Sequence, residues 1–321
     1  MILTVTINPL LERRYTYSSA LFGAHNRGGN LELKAGGKGI NVSRQLNCLS
    51  TENLAFTFLG GANGRLLRDV LNSEDIKFTA VKSEQETRDA AVIIDESASS
   101  VSTFFAVNSK VSESEADEFM TKLEKMIQNC EIVVFSGSSP CPEADKIFPF
   151  GIETANKYDK ISVCDTYGDH LKSCIEKSPT ILHNNMQEIE KSLNVNLSSE
   201  KEIEELLADL YSKGVKQAFI TDGPRFTYAS NFDFHFKVKN PEVKTVDPTG
   251  SGDSFAAGIV YGWHNSLTFE EGIKLAAALG AVNASRVDVC NVEPAEAEKL
   301  LKSVILNPLG KKMKTLDVTP R

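Results

Sequence analysis

The sequence has no apolar run long enough to cross a bilayer as a helix. Its opening residues, MILTVTINP, are apolar over too short a span, and lack the basic leader, to read as a signal peptide. It also has no block of Lys and Arg interleaved with aromatics. With 35 basic against 43 acidic side chains the net charge is −8, which repels nucleic-acid backbones and anionic membrane surfaces. Neither class of partner is expected. The six cysteines form no C-x-x-C pair, so neither a zinc site nor a disulfide framework is indicated, and buried thiols in the reducing cytoplasm fit best. There is no internal repeat. If the ligand is an anion, the positive potential must be made locally, from a few cations, backbone N–H groups or a metal.

What is present is an alternation. Runs rich in β-branched and aromatic residues at 2–7, 54–59, 131–135, 161–164, 180–182 and 217–221 are separated by segments of helical period. Several of those segments carry helix-start signals: Ser112 with Glu115, Ser198 and Ser199 before a run to Gly214, and Thr268 with Glu271. Repeated βα units predict an α/β fold, a mainly parallel sheet covered by helices. Residues 13–34 and 88–107 break the rhythm and read as antiparallel strands. The second pair turns at ESASS, and together they form a small sheet suited to cover a site at the carboxyl ends of the parallel strands. One domain over residues 1–306 is expected, with a loose tail at 307–321.

Two motifs carry chemistry. In KTVDPTGSGDSFAAG a strand-like segment gives way to a helix through Gly250, Ser251 and Gly252. Successive backbone N–H groups there, at the positive end of the helix, make an anion hole. Asp253 beside it is either a carboxylate stabilised by the helix dipole or a general base that accepts the proton of an attacking hydroxyl while the amides hold a transferring phosphoryl group. The second motif, AGGKGINV over residues 35–42, contains Gly-Lys but is no Walker A loop, because Glu32 and Gly39 occupy positions that need Gly and Ser or Thr. It remains a Gly-rich turn at a helix start, where Asn41 can donate to and accept from a polyhydroxy ligand.

The two motifs in this order resemble the paired signatures of the ribokinase-like sugar kinases, in the phosphofructokinase B branch. The resemblance extends from TINPLLERRY through ETRDAAVII and VVFSGSSP to ALGAVNA, nearly the whole chain. It implies a ribokinase-like three-layer sandwich with a β lid that often forms a homodimer contact, ATP as donor and Mg2+. Within the branch the chain looks most like kinases of hexose phosphates such as 1-phosphofructokinase and tagatose-6-phosphate kinase. The resemblance makes Asp253 the base and Gly250, Ser251 and Gly252 the anion hole. It places Glu12, Gly37, Lys38, Asn41 and Ser138 around the sugar, and Arg27 and Arg88 on the sugar's existing phosphate. Asn185 and Glu188 match an N-x-x-E that orders magnesium through water, Thr221 and Gly223 match the nucleotide loop, and Asn283 lies on the helix that admits adenine.

The sequence departs from the pattern in places. Glu12 stands where Asp is usual, and His183-Asn184 replaces Lys-Pro, removing a cation for which Arg225 is a candidate substitute. Phe226 replaces the second Gly of G-x-x-G, where its ring is expected to close the nucleotide seat or stack by the adenine, and SRVDVCN lacks a Gly. The leading expectation is ATP-dependent phosphorylation of fructose 1-phosphate or of tagatose or fructose 6-phosphate. The alternatives are a kinase for an unphosphorylated sugar and a sugar-phosphate-binding protein without catalysis.

Overall fold

Each run of β-branched and aromatic residues expected as a strand is one in the structure, a computed structural model that describes residues 1–310. The chain begins β1 (Ile2–Thr6), β2 (Leu10–Tyr17), β3 (Asn30–Gly36), α1 (Lys38–Cys48), β4 (Asn53–Gly60), α2 (Gly61–Ser73) and β5 (Phe78–Ser83). It continues β6 (Asp89–Asp95), β7 (Ser100–Phe105), α3 (Glu113–Gln128), β8 (Ile132–Ser136), α4 (Ile147–Lys157), β9 (Ile161–Asp165), α5 (Leu171–Glu176) and β10 (Ile181–Asn185). The last part comprises α6 (Met186–Leu193), α7 (Glu200–Ser212), β11 (Gln217–Asp222), β12 (Phe226–Asn231), β13 (Phe234–Lys239), α8 (Ser251–His264), α9 (Phe269–Ala284), α10 (Pro294–Glu298) and β14 (Ile305–Leu309).

The anticipated start signals close as reciprocal capping boxes: Ser112 with Glu115 on α3, Ser199 with Glu202 on α7, and Thr268 with Glu271 on α9. The main sheet has ten strands in the order β14-β13-β12-β11-β10-β9-β8-β1-β4-β5. Pairing is parallel from β5 to β11 and antiparallel from β11 to β14. One face packs Phe56 on Phe119, their ring centroids 3.9 Å apart, under α3 to α7. The other buries Val42, Phe255 and Ala277 under α1, α8 and α9. α8 and α9 approach so closely that a Cβ on Gly258 would lie 2.6 Å from the Ala276 Cα, which accounts for the run of small residues in both helices as packing.

The second sheet, β3-β2-β6-β7, is the expected lid, with a hairpin β6–β7 turning at 96–99 and β2 joined in parallel to β6. The tail, expected to be loose from 307, is ordered further than that. Asn307, Pro308 and Leu309 pair with β13 and close the edge of the main sheet, because Val238 and Leu306 sit opposite one another and extend the apolar face. The rest of that expectation, from 311 onward, lies outside the described residues.

β1 lies between β4 and β8, and the chain runs outward from it in opposite directions. In open α/β sheets such a reversal leaves a crevice at the carboxyl ends of the central strands. Both lid excursions leave from that end, after β1 and after β5, so the lid stands over the crevice.

Candidate active site

Each central strand delivers polar residues to the crevice at its carboxyl end: Asn8 after β1, Ser138 after β8, Asp165 ending β9 and Asn185 ending β10. Two helices start there. α1 is capped by Gly37 at φ 116°, a conformation that favours glycine, and Gly39 lets the helix lie against β1, since a Cβ there would meet Thr6 Oγ1 at 2.4 Å. α8 is capped by Gly250 at φ 78°. The Ser251 N–H is used on the Pro248 carbonyl, at 3.1 Å, so of the expected anion hole the amides of Gly250 and Gly252 are left for a ligand, together with that of Asp253.

Asp253 is buried in this first turn and accepts a 2.7 Å hydrogen bond from Asn41 Nδ2 on α1. The two signature motifs therefore meet side chain to side chain. Burial raises the Asp253 carboxyl, Lys38 opposes that, Asp165 adds to it, and the group is pushed up to about 7. A carboxylate poised there can take a proton from a hydroxyl at neutral pH.

Lys38 leads α1 and donates to Glu188 at 2.8 Å and Asp165 at 3.4 Å. Burial disfavours its charge, but Asp165, Glu188 and Asp253 outweigh burial and hold the ammonium above its ordinary range. Asp165 is fully buried. Burial works against its charge, yet Lys38, His183 and Ser136 keep it below the usual carboxylate range. Its oxygens accept from Ser136 Oγ at 2.6 Å and lie 3.1 Å from His183 Nδ1. His183 stacks on Phe255 of α8 and abuts Gly252, so the residue standing in for a lysine lines the floor under the anion hole.

On the acceptor side, Arg88 donates to the carbonyls of Asn8 (3.1 Å) and Pro9 (3.4 Å) and to Asn108 Oδ1 (3.0 Å). Asn8 Nδ2 bridges Asn108 Oδ1 at 3.1 Å and Ser138 Oγ at 3.0 Å, so Arg88 and Ser138 belong to one network. Glu12 faces Gly36 and ion-pairs with Arg14 at 3.5 Å, and burial, against Arg14 and Arg44, raises its carboxyl. Arg27 is not brought to this cluster. It sits exposed in the loop between β2 and β3.

The nucleotide side differs most from expectation. Asn185 and Glu188 form a capping box on α6, with Glu188 also held by Lys38. Thr221 is the penultimate residue of β11, and Gly223, at φ 55°, turns the β11–β12 hairpin with open space around it. Arg225 is exposed and pairs with Asp222 at 3.6 Å rather than reaching the α8 amides. Phe226 is a correction: its ring packs on the core face opposite α8, under Lys237 Nζ at 4.1 Å, because β12 alternation puts it on the same side as Tyr228. Asn283 is a second. It is fully buried, donating to Thr249 O (2.8 Å) and Ser251 Oγ (3.2 Å) and accepting from Cys290 N–H (2.7 Å), so it braces the anion-hole turn instead of facing adenine.

Sequence reasoning missed Asn8, Asn108 and Asp165 as members of the site. Position at the carboxyl end of a parallel strand was the available signal for Asn8 and Asp165. Nothing local marks Asn108.

A pfkB family carbohydrate kinase profile matches residues 10–296. The chain is 27% identical over 307 residues to a tagatose-6-phosphate kinase of Staphylococcus epidermidis, covering 95% of this chain and 98% of that one. Among solved structures it resembles phosphofructokinase-2 of Escherichia coli (TM-score 0.86, 20% identity, 94% and 98% covered). A second resemblance is to a Thermotoga maritima protein described as a possible 1-phosphofructokinase (TM-score 0.87, 22% identity, 97% and 100% covered). The match over nearly the whole chain, on a fold whose two signature helices meet at Asn41 and Asp253, makes this protein a phosphotransferase that belongs to the pfkB family of carbohydrate kinases.

Proposed function

We propose that the protein transfers the terminal phosphoryl group of ATP to a hydroxyl of a ketohexose monophosphate, giving the bisphosphate. The observation that carries this reading is Asp253: a buried carboxylate, bonded to Asn41, in the first turn of a helix with free amides. An Asp253 oxygen takes the proton of the acceptor hydroxyl as the hydroxyl oxygen attacks the γ-phosphorus and ADP leaves, while the Gly252 and Asp253 N–H groups and the Lys38 ammonium stabilise charge on the phosphoryl oxygens. Magnesium, when bound with the nucleotide, would neutralise phosphate charge. Glu188 and Asn185 are the residues that would hold it, through water: at the start of α6 Asn185 is exposed and Glu188 half-buried, which suits an ion that keeps its waters.

Arg88 and Ser138, joined through Asn8, support a phosphorylated acceptor, since a guanidinium beside a hydroxyl suits a phosphate and is idle on a neutral sugar. Arg27, on the exposed lid loop, would reach that phosphate only if the loop folds inward. The relatives' names favour a 6-phosphate or 1-phosphate of fructose or tagatose. We also assign the lid as a homodimer contact, on the exposure of Phe22, Phe104 and Phe105 along it. No helix among the described residues is long and apolar enough to cross a membrane. Six unpaired cysteines suit the cytoplasm.

A coupled ADP-release assay over fructose 1-phosphate, fructose 6-phosphate, tagatose 6-phosphate, fructose and ribose tests the reading. Turnover is expected with one or more of the phosphates and not with the free sugars. Binding of a sugar phosphate with no response to any nucleotide would replace it with a binding protein.

A further inference from the structure

The acceptor side of the crevice has a charged wall that neither signature motif accounts for. Glu12 lies opposite Ala90 and Arg14 opposite Val92, so the two side chains project from the same face of the lid, the face from which Arg88 also reaches the site. A cavity of about 190 Å³ opens there, lined by Glu12, Arg14, Asn41 and Arg44. Asn41 is the side chain that holds Asp253, so one side chain separates this cavity from the proposed base.

The two arginines in the wall are in different states. Arg44 is committed: it bonds Glu74 through Nε and Nη2, Asn41 Oδ1 through Nη1 and the Ala35 carbonyl through Nη2. Arg14 is 4% exposed and yet makes one hydrogen bond, from Nη2 to the Val287 carbonyl at 3.3 Å. Its Nε is buried without a hydrogen-bond partner, and the Glu12 carboxylate lies 3.5 Å away, an ion pair without a directed bond. A buried guanidinium is costly to desolvate and is normally saturated with acceptors. This one has donors to spare beside a cavity of small-molecule size.

We propose that Arg14 is a substrate-reading residue. Its unused N–H groups donate to hydroxyl or carbonyl oxygens of the acceptor ketohexose phosphate, while the Glu12 carboxylate beside it accepts from adjacent hydroxyls. This rests on the sugar-phosphate kinase reading above. A donor and an acceptor fixed side by side match two neighbouring sugar oxygens in one relative configuration, and inverting one carbon leaves a buried polar group unpaired. The pair thereby selects between epimers.

Steady-state kinetics with tagatose 6-phosphate and fructose 6-phosphate, which differ at one carbon, test this in the wild type, Arg14→Met, Arg14→Gln and Arg14→Lys. Arg14→Met is expected to lower kcat/KM for the better epimer by about 10- to 100-fold, mainly through KM, and to compress the epimer ratio by about fivefold or more. The KM for Mg-ATP should stay within about twofold, and Arg14→Lys should recover part of the loss. Equal losses for both epimers, no loss, or a parallel rise in the Mg-ATP KM would overturn the assignment in favour of a bracing role on Val287. If Arg14→Met does not fold, the Gln and Lys variants carry the same comparison.

Should the wild type turn over neither sugar phosphate, the kinase reading fails separately, and calorimetric titration of both epimers decides on Arg14. Epimer-selective binding weakened in the Arg14 variants upholds it. Binding that is unselective, absent, or unchanged by the variants overturns it.

Discussion

Asn41 and Asp253, 212 residues apart in sequence, share a 2.7 Å hydrogen bond that joins the first turn of α1 to the first turn of α8. The bond fixes the carboxylate's orientation and leaves its other oxygen for the acceptor hydroxyl. Asp253→Asn should therefore lower kcat by about two to four orders of magnitude with sugar-phosphate affinity little changed. Retention of more than about a tenth of the turnover would remove Asp253 from the base role.

Because Asp253 must be ionised to accept a proton and its carboxyl sits at about 7, kcat/KM should rise with pH through that value, as one ionisation. Lys38 favours the charged form of Asp253, so Lys38→Met should move this limb to higher pH as well as slowing turnover. A limb that stays put in the variant would show that a different group titrates.

Arg88→Ala should raise KM for the sugar phosphate by roughly 10-fold or more while the Mg-ATP KM is held, as expected for loss of a charge-assisted contact. Arg27→Ala should cost less, since Arg27 is exposed and away from the Asn8–Ser138 network. The reverse order of effects would mean that the lid loop closes over the ligand and carries the phosphate contact itself.

Asn283→Ala strands the Cys290 N–H in the interior and releases the Thr249 carbonyl nearer the surface, and about 1–3 kcal/mol of stability should go with the buried group left unpaired. Turnover should fall too, because the Gly250 turn loses its brace. Thermal melting and kcat measured on one preparation would separate this from loss of an adenine contact, which leaves the melting temperature in place.

Phe226→Gly is expected to leave affinity for an ATP analogue unchanged and to destabilise the fold by about 2 kcal/mol, through lost packing and a glycine in a strand. Calorimetry showing a changed nucleotide affinity would return the ring to the nucleotide seat.

The parts of this molecule that were legible in the sequence are those set by local chemistry. Capping boxes at Ser112, Ser199 and Thr268 mark helix starts whatever surrounds them, and β-branched runs mark the parallel strands. Glycines at 37, 39 and 250 announced the two helix entries for a physical reason, positive φ or close approach. What failed was side-chain direction. Phe226 and Asn283 were placed by motif alignment, but strand alternation turns one to the core and helix packing buries the other. Asn108 joins the site only through contacts with Arg88 and Asn8 from distant segments, which no local pattern encodes.

The wide separation of Asn41 and Asp253 also orders events during synthesis. Strands β1 to β11 can pair as they emerge, but α8 comes after all of them, and its docking on α1 closes one of the longest loops in the chain. Until that docking, a nascent chain holds the lid arginines and the Gly-rich turn without a base or a phosphoryl cradle. An incomplete copy thus lacks the Asn41–Asp253 contact that joins the two motifs of the site.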